Sequence, residues 1–109
     1  MANTFKLKTK ANVGVTTVGI YTAPAATTTV VIGITLYNTS GSGVNVGVGI
    51  TRAGTTEDVK LLKNAPIPQG SSLEFMGGNK VVLETTDTLT VDSDTNNSVD
   101  AALTIMEIT

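Results

Sequence analysis

Asp92-x-Asp94-x-Asn96 has the alternating spacing with which a calcium-binding loop presents its first oxygen ligands. The match stops there. Such a loop needs Gly at its sixth position and Glu at its twelfth, and the chain has Asn97 and Leu103. Asp92 to Ser98 therefore reads as a solvated turn whose Asp and Asn side chains bond their own backbone. A weak cation site on Asp92, Asp94 and Asn96 is the alternative. No other metal site and no cofactor is expected.

The remaining chemistry is sparse. Asp87, Asp92, Asp94 and Asp100 could supply the paired carboxylates of a glycosidase, but they fall in turns, and aromatic residues make up only 4% of the chain. There is no histidine and no cysteine. That removes the usual base near neutral pH, the thiolate nucleophile and the ligands of most zinc sites. Gly77-Gly78-Asn79-Lys80 lacks the spacing of a phosphate-binding loop and reads as a turn. Lys6, Lys8 and Lys10 alternate with Phe5 and Leu7, giving a strand with one cationic and one apolar face. The lysines either guard a sheet edge against aggregation or meet an acidic partner. No enzyme is expected.

The elements that carry these residues are strands. The chain has 109 residues, enough for one domain, with 40% hydrophobic and 15% charged residues. Thr and Val are abundant, and branching at Cβ suits a pleated surface better than a helix. A net charge of −2 points to neither nucleic acid nor an anionic membrane as partner. No secretory signal and no apolar run near the roughly 20 residues of a spanning helix is visible.

Alternation predicts a strand at Val18 to Thr22, broken by Pro24, and a long one from Thr28 to Asn38. In the long strand Val30, Ile32, Ile34 and Leu36 should share one face, with Val31, Gly33, Thr35 and Tyr37 on the other. The Ser/Gly-rich turn Asn38 to Gly43 then leads into Val44, Val46, Val48 and Ile50, which suggests a β-hairpin. Gly47 and Gly49 lie one pleat apart and mark either a bulge or packing against Tyr37, or else a subunit contact. Ala65 to Gly70 reads as a rigid loop, because its prolines cannot sit inside a sheet. Short strands follow at Ser71 to Met76, at Lys80 to Glu84 and around Leu89 and Val91. Val99, Ala101, Leu103 and Ile105 mark a closing strand.

The fold expected is therefore all-β: one β-sandwich domain over residues 1–109, Ig-like or jelly-roll-like, with about eight or nine short strands. Residues 1–12 form an extended arm or an edge strand. Two contact surfaces are expected. One is a face carrying Val31, Gly33, Tyr37, Gly47 and Gly49. The other is the loop with Pro66, Ile67, Pro68, Gln69 and Ser71.

Four segments, in this order, carry a family resemblance: Tyr21-Thr22-Ala23-Pro24, Pro66-Ile67-Pro68-Gln69-Gly70-Ser71-Ser72-Leu73, Gly77-Gly78-Asn79-Lys80-Val81-Val82-Leu83 and Met106-Glu107-Ile108-Thr109. From Ala11 onward the chain resembles small virion structural proteins of tailed bacteriophages, the marine and cyanobacterial type. That resemblance brings no catalytic motif. It implies a protein located in the virion and assembled in the host cytoplasm. Its partners would be itself, as a homo-oligomer with a trimer favoured, and the major capsid protein or another virion protein. The role expected is capsid decoration (cement). A neck, tail or fibre-associated protein is the alternative. A carbohydrate- or receptor-binding module is the rival from another class, disfavoured by the few aromatics.

Overall fold

The computed structural model describes residues 3–54, 57–75 and 81–109. Among them the chain forms β1 (Asn3–Val13), β2 (Val18–Thr22), β3 (Thr28–Asn38), β4 (Val44–Arg52), β5 (Glu57–Ile67), β6 (Ser72–Phe75), β7 (Val81–Leu83), β8 (Thr88–Ser93) and β9 (Val99–Ile108). Two antiparallel sheets result. Sheet A runs β1-β9-β3, with β6 and β7 both paired to β3, and sheet B runs β2-β8-β4-β5. The strand at Val81–Leu83 is part of the expected Lys80 to Glu84 strand. The Gly77 to Lys80 turn and Met76 lie outside the described residues.

The order is that of a jelly roll rather than an Ig-like sandwich: seven of the eight links between successive strands cross from one sheet to the other or continue along one edge. Among the described residues only β4 and β5 are both consecutive and paired. The expected β3–β4 hairpin does not form. β3 belongs to sheet A and β4 to sheet B, so Asn38 to Gly43 carries the chain across the sandwich. Asn38, 1% exposed, holds this crossing. Its amide donates to Ser42 O (2.8 Å) and Ile67 O (3.0 Å), and its Oδ1 accepts from the backbone N and the hydroxyl of Ser40 (both 2.8 Å). All four hydrogen-bonding positions of the side chain are used.

The core lies between the sheets. Val99, Ala101, Leu103 and Ile105 of β9 and Val44, Val46, Val48 and Ile50 of β4 all point inward, as their alternation predicts. β3 departs from its expected pattern. A bulge between Val31 and Gly33 shifts the register, so Thr29, Val31, Ile34, Leu36 and Asn38 are the buried set. Val30 thus joins Gly33, Thr35 and Tyr37 on the outer face, opposite Met106, Thr104, Ala102 and Asp100.

Pro66 corrects a second expectation. It lies inside β5, paired with Asn45. A proline is accommodated there because β5 is the free edge of sheet B and the missing N–H can face away from the ladder. The turn itself is shorter, with the Ser71 N–H donating to Pro68 O at 3.1 Å. Residues 3–13 form an edge strand, one of the two alternatives for the N-terminal segment.

Candidate functional site

The candidate sites are surfaces. Four of the exposed large apolar side chains among the described residues gather on the outer face of sheet A. Pairing fixes which side chains share it. Phe5 lies opposite Met106, Met106 opposite Val30, and Val30 opposite Val82, so one apolar row crosses four strands. Leu7 opposite Thr104, itself opposite Gly33, makes the next row. Phe5 is 68%, Leu7 64% and Val82 54% exposed, and Tyr37 is exposed farther along the same face. Two shallow depressions mark the face. One, of about 300 Å³, adjoins Thr9, Tyr37, Asp100 and Ala102. The other, of about 340 Å³, adjoins Ile32, Gly33, Phe75 and Thr104.

The lysines of β1 take the opposite side. Lys6, Lys8 and Lys10 pair with the inward-facing Ile105, Leu103 and Ala101 of β9. At this free edge they shield the rim of the sandwich. Lys6 also reaches a polar cluster between the sheets. Its Nζ lies 2.8 Å from Glu107 Oε1, and the Glu107 side chain is only 8% exposed. Tyr21, on β2 of sheet B, donates its hydroxyl proton to Glu107 Oε2 at 2.6 Å and stands 2.8 Å from Thr29 Oγ1 on β3. One carboxylate thus joins the edge strand, the centre of sheet A and the edge of sheet B. The bonds from Lys6 and then Tyr21 hold the Glu107 carboxyl below its ordinary range. Burial, followed by the bond to Glu107, pushes the Tyr21 hydroxyl up to about 12.

The outer face of sheet B is small and polar. Gly47 and Gly49 are there because a side chain would not fit. A Cβ at Gly47 would lie 2.5 Å from Asp92 Oδ1 and 3.3 Å from Leu62 O, and one at Gly49 would lie 2.8 Å from Val59 O. Register shifts between β4 and β5 bring those carbonyls close. The glycines therefore mark bulges, the first of the two readings. Tyr37 is not their neighbour, being on the opposite outer face of the sandwich. Beside them a depression of about 130 Å³ is lined by Gly47, Lys60, Lys63, Asp92 and Asp94.

The residues expected to share one contact face are thus divided. Val31 is fully buried in the core, Gly33 and Tyr37 are on the outside of sheet A, and Gly47 and Gly49 are on the outside of sheet B. In the second expected surface Ile67 is buried, at 1% exposed, while Pro66, Pro68 and Gln69 are exposed and Ser71 is half-buried. The oxygens of the candidate cation site also have separate partners. Asp92 Oδ2 accepts from Thr17 Oγ1 (3.1 Å), Asp94 Oδ1 from Asn45 N (3.1 Å) and Asn96 Oδ1 from Val15 N (3.5 Å). Among the described residues no group of three or more His, Cys, Asp or Glu side chains could hold a metal. The turn is built on hydroxyls instead, with Ser93 Oγ 2.7 Å from Ser98 Oγ, which donates to Thr95 O at 2.6 Å.

No protein-family model matches the sequence, and no curated protein does. Solved structures share its fold. A chain of the acidic stable capsid structure of Helicobacter pylori bacteriophage KHP30 superposes with a TM-score of 0.59 at 10% identity, over 98% of this chain and 87% of that one. A chain of the disulfide-linked pili that form Bacillus endospore appendages gives 0.57 at 16% identity, over 99% and 87%. A chain of infectious bursal disease virus, Gx strain, gives 0.54 at 12% identity, over 98% of this chain and 33% of that one. The likeness is one of fold. It covers the whole sandwich, β1 to β9, so the edge strand with Lys6 and Phe5 is part of the shared architecture rather than an appendage to it.

Proposed function

We propose that the chain is a non-enzymatic structural protein of a virus particle, acting as a capsid decoration (cement) protein on the major capsid lattice of a tailed bacteriophage. The observation that carries this reading is the whole-length likeness of fold to a chain of a phage capsid, with 98% of this chain matched to 87% of that one. The physics agrees. A particle component needs a rigid sandwich, exposed faces and repeated weak contacts multiplied by avidity. The resemblance of four segments to small virion proteins of tailed phages supports a particle of that type. Reconstruction of the whole particle tests the reading, with density for this sandwich expected on the capsid surface. Density confined to the neck, tail or fibres would move the protein there, and absence from purified particles would overturn the reading.

A filament subunit is the second reading, favoured by the likeness to the endospore pili. Such a filament would have to be held without disulfides, because the chain has no cysteine. Electron microscopy of the concentrated protein distinguishes the two, since filaments would form without any capsid present.

A further inference from the structure

We infer that the outer face of sheet A docks a second copy of this chain, sheet against sheet across a two-fold axis. Four large apolar side chains with high exposure, Phe5, Leu7, Tyr37 and Val82, lie on this one face. A clustered apolar patch of this kind is often a functional contact surface. β1 turns all of its lysines to the other side, so the charged residues at register positions of this face, among those described, are Glu74 and Asp100.

The size is sufficient. Four strands about 4.8 Å apart, over about eight residues of about 3.3 Å each, give a footprint of about 500 Å² per copy. The pair would bury about 1,000 Å², the lower bound of a specific interface. The pattern is also self-complementary, as a two-fold contact requires. An axis running along the strands, between β9 and β3, exchanges the β1 edge with the β6 and β7 edge. Phe5 then falls on Val82 of the second copy and Met106 on Val30. Leu7 falls towards the depression beside Gly33, Asp100 on Tyr37 and Glu74 on Thr9, so no acid meets an acid. This matching favours a second copy over an unrelated partner, and it does not depend on the protein being part of a particle.

Sedimentation equilibrium of the purified chain tests the pairing. A dimer is expected, weakened about 30-fold or more by Phe5→Glu or Val82→Glu, the effect of losing a central interface side chain. Val15→Glu, at an exposed apolar position away from the face, should leave it unchanged. The register has its own test, because the natural chain has no cysteine. Phe5 and Val82 sit about three strand spacings apart within one chain, too far for an internal disulfide. The double variant Phe5→Cys, Val82→Cys should therefore give covalent dimers on mild oxidation, and Val15→Cys should not. A monomeric wild-type chain, or association indifferent to Phe5→Glu and Val82→Glu with their circular dichroism unchanged, would overturn the inference. So would a particle in which this face contacts a different protein, an outcome that leaves the proposed function standing.

Discussion

Lys6 and Glu107 meet at 2.8 Å with one partner half in solvent and the other almost wholly enclosed. The exposed lysine is therefore what keeps a buried carboxylate charged, and it does so from a strand at the sheet edge. Removing it leaves the carboxylate with Tyr21 as its remaining donor among the described residues. Lys6→Ala should destabilise the fold by about 1–2 kcal/mol, the penalty of an under-satisfied buried acceptor. Urea unfolding of the two proteins measures the difference.

The same cluster sets the response to pH at both ends. The Glu107 carboxyl ionises more readily folded than unfolded. Its contribution is complete above its unfolded value of 4.5 and is lost as pH falls through the lower folded value. Tyr21 acts in the opposite sense. Its hydroxyl rises from 10.0 to about 12, so stability should decline as pH rises across that window. Melting curves should show the acid-side loss reduced in Glu107→Gln and the alkaline loss reduced in Tyr21→Phe. Unchanged pH profiles in both variants would dissociate the cluster from either limb.

Asn38 closes the crossing between the sheets with four hydrogen bonds in a buried site. Asn38→Asp keeps the shape but replaces two donors with an acceptor facing the Ser42 and Ile67 carbonyls. A loss of about 2–3 kcal/mol is expected. Differential scanning calorimetry reads it directly.

Gly49 and Gly33 should separate in an alanine test. A Cβ at Gly49 meets Val59 O at 2.8 Å, whereas at Gly33 the nearest atom is Phe75 O at 3.8 Å. Gly49→Ala should cost about 1–3 kcal/mol by forcing β5 away from β4. Gly33→Ala should be near neutral, and equal effects at the two positions would contradict the bulge account.

Thr86 holds φ at 70°, the left-handed region that a β-branched residue rarely enters. The conformation persists because the Thr86 N–H donates to Ala23 O at 2.9 Å, and because Asp87 beside it takes both the Glu84 N–H and the Arg52 guanidinium at 3.0 Å. Thr86→Asn or Thr86→Gly should relieve about 1 kcal/mol of strain and raise the melting temperature.

Much of the sandwich was legible in the sequence because a strand writes its burial at every second residue. β4 and β9 reached the core as their alternation predicts, and Phe5 and Leu7 already marked an apolar face opposed to the lysines. Pairing was less legible. The Ser/Gly turn after Asn38 looks the same whether the chain doubles back or crosses to the other sheet, and the choice depends on partners far along the sequence. The bulge at Val31 and Gly33 was silent because every residue around it is apolar or small, so either face reads as a core face. That single displaced residue buried Val31 and sent Val30 outward. The Lys6, Glu107 and Tyr21 cluster left no local sign either, with its members spread across three strands.

The position of β9 has a consequence for how the subunit is made. It lies between β1 and β3, two strands the ribosome releases long before it. Until β9 arrives, β1 has no ladder and Lys6 no carboxylate. The outer face of sheet A, half of whose apolar row comes from Met106 and the strand it places beside Phe5, does not yet exist. A chain whose β9 has not yet emerged therefore cannot display the surface by which folded copies would recognise each other. Arrival of β9 is thus the step on which that recognition waits.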